Sequence, residues 1–523
     1  MPGFGRAWSV GLLGMRGTPI EVEAYCAAGL PKFTLIGLPD SVLSEARDRV
    51  RAATLSSGLD WPQSVVTVSL SPAWIRKQGS GFDLAIASAI LRATGVLRPA
   101  AFPEAVFIAE LGLDGRVRPV RGVLPCVISA ARAGLTSVFV AEVNAPEAAQ
   151  VPGVEVVGLR SLRQLAALAN GTPVPEEPPG EPDYVPPDGP PPDEAGYEPD
   201  LAEVLGQYEA RRALELSAAG GHHLFLCGAP GSGKTMLARR LPGILPPLGP
   251  TAALEVSAIH SVAGTLPPDR PLIDRPPFCA VHHSATVASM VGGGGAQIRP
   301  GAVSRAHFGV LFLDEAPEFG RAVLDALREP IESGEVAIAR ASGIARFPAR
   351  FLLVAAANPC PCGRAGSPAA DCVCEPRQRI GYLARISGPL LDRIDLRIDV
   401  APVGPADLLD AASGGQAGEP SKVVAERVAQ ARERALRRLA GTPWTCNADV
   451  PGQVLRNQWP LGIDALASAE RALHAGVLSA RGLDRVIRVA WTVSDLAGAD
   501  HPDRTAVDTA LGFRLGLQAL TGS

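Results

Sequence analysis

His222 to Leu241 reads HHLFLCGAPGSGKTMLARRL, and its three parts decide the surrounding fold. Leu224 to Cys227 is an apolar run of buried-strand length. Gly228-Ala229-Pro230-Gly231-Ser232-Gly233-Lys234-Thr235 is a glycine-rich turn with the spacing GxxxxGK[ST], and the following residues continue as a helix. Glycines in such a turn let backbone N–H groups point inward around phosphate oxygens, and the helix adds its positive end. Lys234 is expected to reach the β and γ phosphates of ATP, and Thr235 to ligate Mg2+. Strand, loop and helix in this order predict a nucleotide-binding α/β domain.

Such a site needs a carboxylate at the end of a neighbouring strand. The run Val310 to Leu313 ends in Asp314-Glu315. Asp314 is expected in the Mg2+ shell, and Glu315 beside the water that attacks the γ phosphate. The next apolar run, Phe351 to Ala357, ends in Asn358. In a parallel sheet that strand can lie between the other two, which would bring the Asn358 amide to the γ phosphate to hold the attacking water.

Asn358 opens NPCPCGRAGSPAADCVC, which gathers Cys360, Cys362, Cys372 and Cys374 out of nine cysteines in the chain. Cys26, Cys126, Cys227, Cys279 and Cys446 lie far apart among apolar neighbours, as reduced buried thiols do. Four close thiolates could complete a tetrahedral Zn2+ site and fold the Cys-rich loop 358–376, which is otherwise rich in glycine, alanine and proline. CxC is a tighter spacing than CxxC, so reduced thiols without metal, or a redox disulfide, stand beside zinc as alternatives.

With 523 residues the chain is too long for one ordinary domain. Its hydrophobic share is 47%, yet no apolar run approaches the roughly 20 residues that span a bilayer. The N-terminus lacks a basic stretch followed by an apolar core, so a cytoplasmic location with no membrane partner is expected. The formal net charge of −4 does not mark an obligate nucleic-acid binder, although local basic patches can act within a near-neutral protein.

Residues 171–200 hold eleven prolines, nine acidic residues and no lysine or arginine, a composition of a semi-rigid spacer. Before them, β-branched runs at 66–68, 105–108, 138–140 and 154–157 alternate with helical patterns at 41–56 and 83–93, which predicts an α/β domain. After about Pro402 helical patterns dominate, as at 421–440 and 463–475. The expected organisation is an N-terminal α/β domain (1–170), a linker (171–196), a P-loop α/β core (197–401) and a helical lid (402–523).

From Tyr197 onward the chain resembles the magnesium-chelatase-like branch of AAA+ ATPases, and with its N-terminal region it resembles the YifB/ComM family. The stretches that carry the resemblance are GAPGSGKTMLARRLPGILPPL, VHHSATVASMVGGGGAQIRPGAVSRAHFGVLFLDEAPEF, NPCPCG, ISGPLLDRIDLRIDV and LSARGLDRVIRVAWTVSDLAG. The resemblance implies a ring, a hexamer, with ATP bound between subunits. Arg393 in LLDRIDL matches the arginine that such rings supply to the neighbouring site, and a salt bridge to Asp392 or Asp395 is its ordinary alternative. Arg481 in LSARGL matches the second sensor on the lid. The resemblance also implies pore insertions at Met290 to Arg305, taken as a flexible loop with Arg299, and at Glu335 to Arg350, taken as a hairpin with Arg340, Arg346 and Arg350. Repeated around a ring, these arginines could grip the phosphates of DNA. With only Phe347 as an aromatic neighbour, a solvated basic hairpin is the plain alternative. His282 and His283 are placed in loop packing ahead of any chemistry, with their role left open.

Residues from about Trp8 to Asn170 resemble the Lon-protease-like domain of this family. RKQGSGFDLAIASAIL and LGLDGRVRPVRGVLPC lie where the Lon serine and lysine motifs stand, and the two catalytic positions fall on Gly81 and Leu124. Neither residue can act as nucleophile or base, and Ser80 next door has no lysine assigned to it, so no active protease is expected. Arg76, Lys77, Arg116, Arg118 and Arg121 could contact DNA or form a solvated surface. The family resemblance points to an ATP-driven motor on single-stranded or branched DNA, like the ComM-type branch-migration helicases of recombination and natural transformation. The alternative is a magnesium-chelatase-type ATPase that remodels a protein partner, against which the Lon-like tier argues. A nucleotide-gated assembly protein is a third reading, disfavoured because Glu315 and Arg393 are both present.

Overall fold

The computed structural model describes residues 3–37, 40–72, 79–98, 100–180, 199–294, 298–340, 343–365, 371–404, 406–407, 409 and 418–516. Arg76, Lys77 and most of the proline-rich stretch fall outside these residues. The described part of that stretch, 171–180, lies on the N-terminal unit, where Glu177 Oε1 pairs with Arg163 Nη2 at 2.7 Å.

The N-terminal unit is built on a seven-stranded sheet. Its order from one edge is Lys32–Ile36, Val65–Ser71, Arg16–Ala27, Gly3–Leu13, Val106–Ile108, Ser137–Ala141 and Glu155–Leu159. Gly3–Leu13 and Arg16–Ala27 pair antiparallel from Leu13↔Arg16 to Gly3↔Cys26, turning at Gly14 with φ +63°. Alternate residues Ala7, Ile20, Val22 and Ala24 are fully buried while Arg6 pairs with Glu21 on the other face. That period of two is legible in the sequence, although only the later β-branched runs were assigned to strands from it. Helix Asp83–Ala93 is buried along its whole length against the hairpin. Gly3 and Gly5 permit this contact, since a Cβ on either would collide with the carbonyl of Ala93 or Ala89.

The second unit is a five-stranded parallel sheet in the order Phe278–Val281, Val310–Leu313, Leu352–Ala357, Leu224–Cys227, Leu396–Asp399. Its three middle strands are buried at every residue, which explains their unbroken apolar sequences. The strand ending at Ala357 lies between the P-loop strand and the acidic strand, the order expected from the sequence. Helices Ser421–Arg438, Ile463–His474, Ala480–Ala497 and Arg504–Leu515 follow. Val486, Val489 and Ala490 share one core with Leu224, Leu226 and Leu237, so the helical region is packed into the sheet's own core. No helix among the described residues is long and apolar enough to cross a membrane.

The stretch read as a flexible loop, Met290 to Arg305, is ordered where described. Thr286 caps helix Val287–Val291 through a capping box with Ser289, Gly292–Gly293 pairs antiparallel with Arg299–Pro300, and helix Ala302–Arg305 follows. Gly292 turns at φ +108°, a conformation other residues rarely adopt, which lets the chain leave the helix directly into this ribbon. Strands Glu335–Arg340 and Gly343–Pro348 form the hairpin read from the sequence. Arg350 lies beyond it. The two insertions pack together, for a Cβ on Gly292 would stand 2.8 Å from Ile338 Cδ1.

The hairpin also meets the N-terminal unit, with a Cβ on Gly343 reaching 3.1 Å from Leu13 Cδ2. A second contact joins the units where Gly122 N–H donates to Ser261 O at 3.1 Å and Ser261 Oγ donates to Glu147 Oε2 at 2.6 Å. Arg121 belongs to this seam, because a Cβ on Gly264 would lie 2.7 Å from its Nε. Arg121 is nonetheless exposed, so it stays on the basic surface considered above while touching the seam. Of its companions, Arg116 pairs with Asp114 and Arg118 is exposed.

Candidate active site

The P-loop is shaped by glycine at positions no other residue suits. Gly231 and Gly233 have φ of +78° and +89°, and a Cβ on Gly228 would strike the Val400 carbonyl. Ser232 Oγ is buried without a hydrogen-bond partner. Helix Lys234–Arg240 starts at the loop, so its first N–H groups open towards it. Gly228, Ala229, Pro230, Gly231, Ser232 and Gly233 thus form a cradle: Gly228 N–H is taken by Ala357 O and Ser232 N–H by Ala229 O, and Pro230 has none, which leaves the N–H groups of Ala229, Gly231 and Gly233 for the phosphates of a nucleotide.

Lys234 is 8% exposed, and its Nζ donates to Gly228 O at 2.8 Å, Ala229 O at 3.0 Å and Asn358 Oδ1 at 3.2 Å. Burial lowers its pKa from the ordinary value, and Asp314 opposes the shift. Thr235 Oγ1 donates to Asp314 Oδ2 at 2.9 Å. This pairing of a hydroxyl and a carboxylate offers the oxygen donors a hard cation such as Mg2+ takes. The ends of three adjacent parallel strands therefore bring Lys234, Asp314 and Asn358 to one place, as their spacing led us to expect.

Glu315 follows Asp314 with φ +52°, a left-handed conformation uncommon outside glycine. His283 Nδ1 lies 3.4 Å from Glu315 Oε2. His283 is therefore a partner of the acidic residue. Its signal in the sequence was faint, a histidine two residues past the strand Phe278–Val281 that neighbours the acidic strand. His282 packs on it with ring centroids 4.0 Å apart and bonds Ser284 Oγ. Gln207 was also missed. At φ +48° it donates from Nε2 to Ser232 O at 2.6 Å and so buttresses the P-loop from the preceding turn.

Arg393 takes neither aspartate expected of a structural arginine. It pairs with Glu332 and donates to Pro389 O at 2.5 Å, while its Nε is buried without a partner. None of these groups belongs to the chain's own P-loop. Arg481 lies exposed on the first turn of helix Ala480–Ala497. One turn later, Arg485 Nη1 meets the buried Asp395 Oδ1 at 2.5 Å. Asp395 Oδ2 meets His222 Nδ1 at 3.2 Å, and His222 Nε2 meets Thr492 Oγ1 at 2.7 Å. This chain of polar contacts ties helix Ala480–Ala497 to His222, two residues before the P-loop strand. Burial alone would raise the Asp395 pKa, but Arg485 and His222 outweigh it and hold the carboxyl well below the usual range.

Cys360, Cys362, Cys372 and Cys374 converge beside this site, and none of them forms a disulfide. In the N-terminal unit, Ser80 and Gly81 line a cleft with Glu110, Arg121 and Arg299, and Ser80 Oγ bonds the Glu110 carboxylate. Leu124 is fully buried on helix Val123–Arg132 and does not line the cleft.

Family models match in three blocks: magnesium chelatase, subunit ChlI over residues 200–408, subunit ChlI of Mg-chelatase over 22–144, and the subunit ChlI C-terminal model over 418–514. An uncharacterized protein of Mycobacterium tuberculosis is 48% identical over 511 residues, covering 98% of each chain. The uncharacterized protein YifB of Escherichia coli is 39% identical over 503 residues, covering 96% of this chain and 95% of YifB. Competence protein ComM of Haemophilus influenzae is 38% identical over 504 residues, covering 96% of each.

Proposed function

We propose that this chain, which belongs to the YifB/ComM family of magnesium-chelatase-like AAA+ ATPases, is a ring motor that couples ATP hydrolysis to movement on DNA. The observation that carries the ATPase part is the meeting of Lys234, the Thr235–Asp314 pair, Glu315 and Asn358 at adjacent strand ends. Mg2+–ATP, when bound, supplies the phosphoanhydride whose cleavage drives the motor.

The protein's own groups divide the remaining work. Backbone N–H groups of the P-loop and Lys234 hold phosphate oxygens, and Thr235 and Asp314 hold the cation. Glu315 accepts the proton of the attacking water, with His283 steadying its carboxylate. Asn358, already within reach of Lys234, orients that water. Arg393 acts on the neighbouring subunit's site, in keeping with its cis contacts lying away from its own P-loop. Arg481, on the exposed end of its helix, is offered as the sensor that reports the γ phosphate to the lid.

For DNA the support is the ComM relationship, named for competence, and the exposed Arg299 and Arg340 on two insertions packed side by side. The N-terminal unit serves assembly or guidance and cleaves no peptide, since Ser80 faces a carboxylate and no lysine lines its cleft among the described residues. The decisive assay compares ATP turnover with no partner, single-stranded DNA and a four-way junction, and follows branch movement. Stimulation with movement is expected; turnover indifferent to every nucleic acid would end the DNA reading. The chelatase-named family models favour one second reading, remodelling of a protein partner, and in that case the same assay stays flat until such a protein is added.

A further inference from the structure

The Sγ atoms of Cys360, Cys362, Cys372 and Cys374 all lie within 4.8 Å of one another. Three separations are 3.4 Å (Cys360–Cys362), 3.6 Å (Cys360–Cys372) and 3.6 Å (Cys362–Cys372). Four sulfurs arranged about one Zn2+ at about 2.3 Å stand about 3.8 Å apart along each tetrahedron edge. A disulfide instead draws two sulfurs to about 2.05 Å and leaves the others out. Three sulfurs at 3.4–3.6 Å from one another, with the fourth inside 4.8 Å of each, therefore match a shared ion better than any pairing. Ala365 N–H points at Cys360 Sγ from 3.4 Å, the kind of contact that offsets thiolate charge around a metal. An all-thiolate set selects a soft or borderline ion over Mg2+.

The position of the cluster is as informative as its geometry. Gly363, directly after Cys362, has φ +76°, and a Cβ there would lie 2.6 Å from both Cγ and Cδ of Pro230 in the P-loop. A proline ring cannot swing aside as a flexible side chain would. The knuckle and the phosphate loop are thus in direct backbone-to-ring contact. Cys360 is fully buried two residues from Asn358, whose Oδ1 reaches Lys234. On the far side, Arg379 Nε donates to Cys374 O at 3.2 Å, and Glu375 with Gln378 caps helix Pro376–Leu383. Without a cross-link, the glycine- and alanine-rich segment between the two cysteine pairs has few apolar groups to hold its ends together.

We propose that Cys360, Cys362, Cys372 and Cys374 bind one Zn2+ and that this centre seats Gly363 against Pro230, so that the metal sets how tightly the P-loop grips nucleotide. The first half stands on the sulfur geometry alone, and the second rests on the nucleotide site described above.

The test uses the full chain, purified without chelator. Elemental analysis should find one zinc per chain, and Co2+-substituted protein should show thiolate charge-transfer and tetrahedral d–d bands. Cys372→Ser should lose the zinc and weaken binding of a fluorescent ADP by about tenfold, a loss typical of a disturbed support around a site. Gly363→Ala keeps all four ligands, so it should retain zinc while weakening the same nucleotide to a similar degree. Cys26→Ser, in the N-terminal sheet, should change neither. Zinc well below one per chain together with no thiolate bands would overturn the metal site. Full zinc in Gly363→Ala with unchanged nucleotide affinity would overturn the coupling. Failure of the wild type to bind nucleotide would refute the nucleotide site itself, and the coupling with it, while the zinc count would still decide the first half.

Discussion

Glu315 concentrates the chemistry at the residue scale. Its left-handed backbone costs of order 1–3 kcal/mol, and the turn is held while the carboxylate faces His283. Under the proposed mechanism Glu315→Gln keeps the shape and removes the base, so ATP turnover should fall by at least about a hundredfold with nucleotide still retained on a filter. His283→Ala should lower kcat by about tenfold and leave KM nearly unchanged, because it acts through Glu315; an equal rise in KM would assign it to binding instead. Two other histidines shape the response to acid. His223 Nδ1 accepts from Leu353 N at 3.0 Å, and His260 bonds Arg305 O at 3.0 Å; burial pushes both rings down from 6.5 to about 4. Between those values the folded chain binds fewer protons than the unfolded one, so stability rises with pH across the window and is lost as pH falls from about 6.5 towards 4. Denaturant midpoints at pH 7.5 and 5 should show the drop, and His260→Gln should shrink it.

Among elements, the joint between lid helix and sheet is carried by Asp395, Arg485, His222 and Thr492. Arg485→Ala leaves a buried carboxylate short of its cation and should cost about 3–5 kcal/mol in unfolding free energy, read by chemical denaturation. An exposed ion pair such as Arg437–Glu433 should cost well under about 1 kcal/mol when broken. The two insertions form the other element-level device. Arg346 is partly neutralised by Glu335 on the same hairpin, so under the proposed function Arg299 and Arg340, both exposed, are the arginines assigned to the phosphates of DNA. Arg299→Ala/Arg340→Ala should make the dependence of DNA affinity on salt shallower by about one unit of log–log slope or more. An unchanged slope would assign these arginines to the seam with the N-terminal unit.

For the whole molecule the proposal is a site completed by a neighbour. Arg393→Ala should assemble normally and bind nucleotide, yet lose about a thousandfold in turnover. Mixing it with Lys234→Ala should restore part of the activity, since one intact interface can form from two defective chains; no recovery, or full-speed turnover by a monomer, would refute the shared site. The amino-acid sequence by itself determined the fold class and the family, and it picked out the residues proposed to carry the nucleotide chemistry. That Lys234, Thr235, Asp314 and Asn358 meet at adjacent strand ends was legible because each is bound to its strand or loop by local spacing, and buried parallel strands announce themselves as unbroken apolar runs. The helical character of the C-terminal region was legible from its periodicity for the same reason. Only the tertiary structure decided that His283 meets Glu315, that Gln207 braces the P-loop, that Arg485 reaches Asp395, and that the 335–348 hairpin rests on Leu13. These contacts join residues tens to hundreds of positions apart, and their partners are chosen by how whole sheets and helices pack, which no periodicity along the chain encodes.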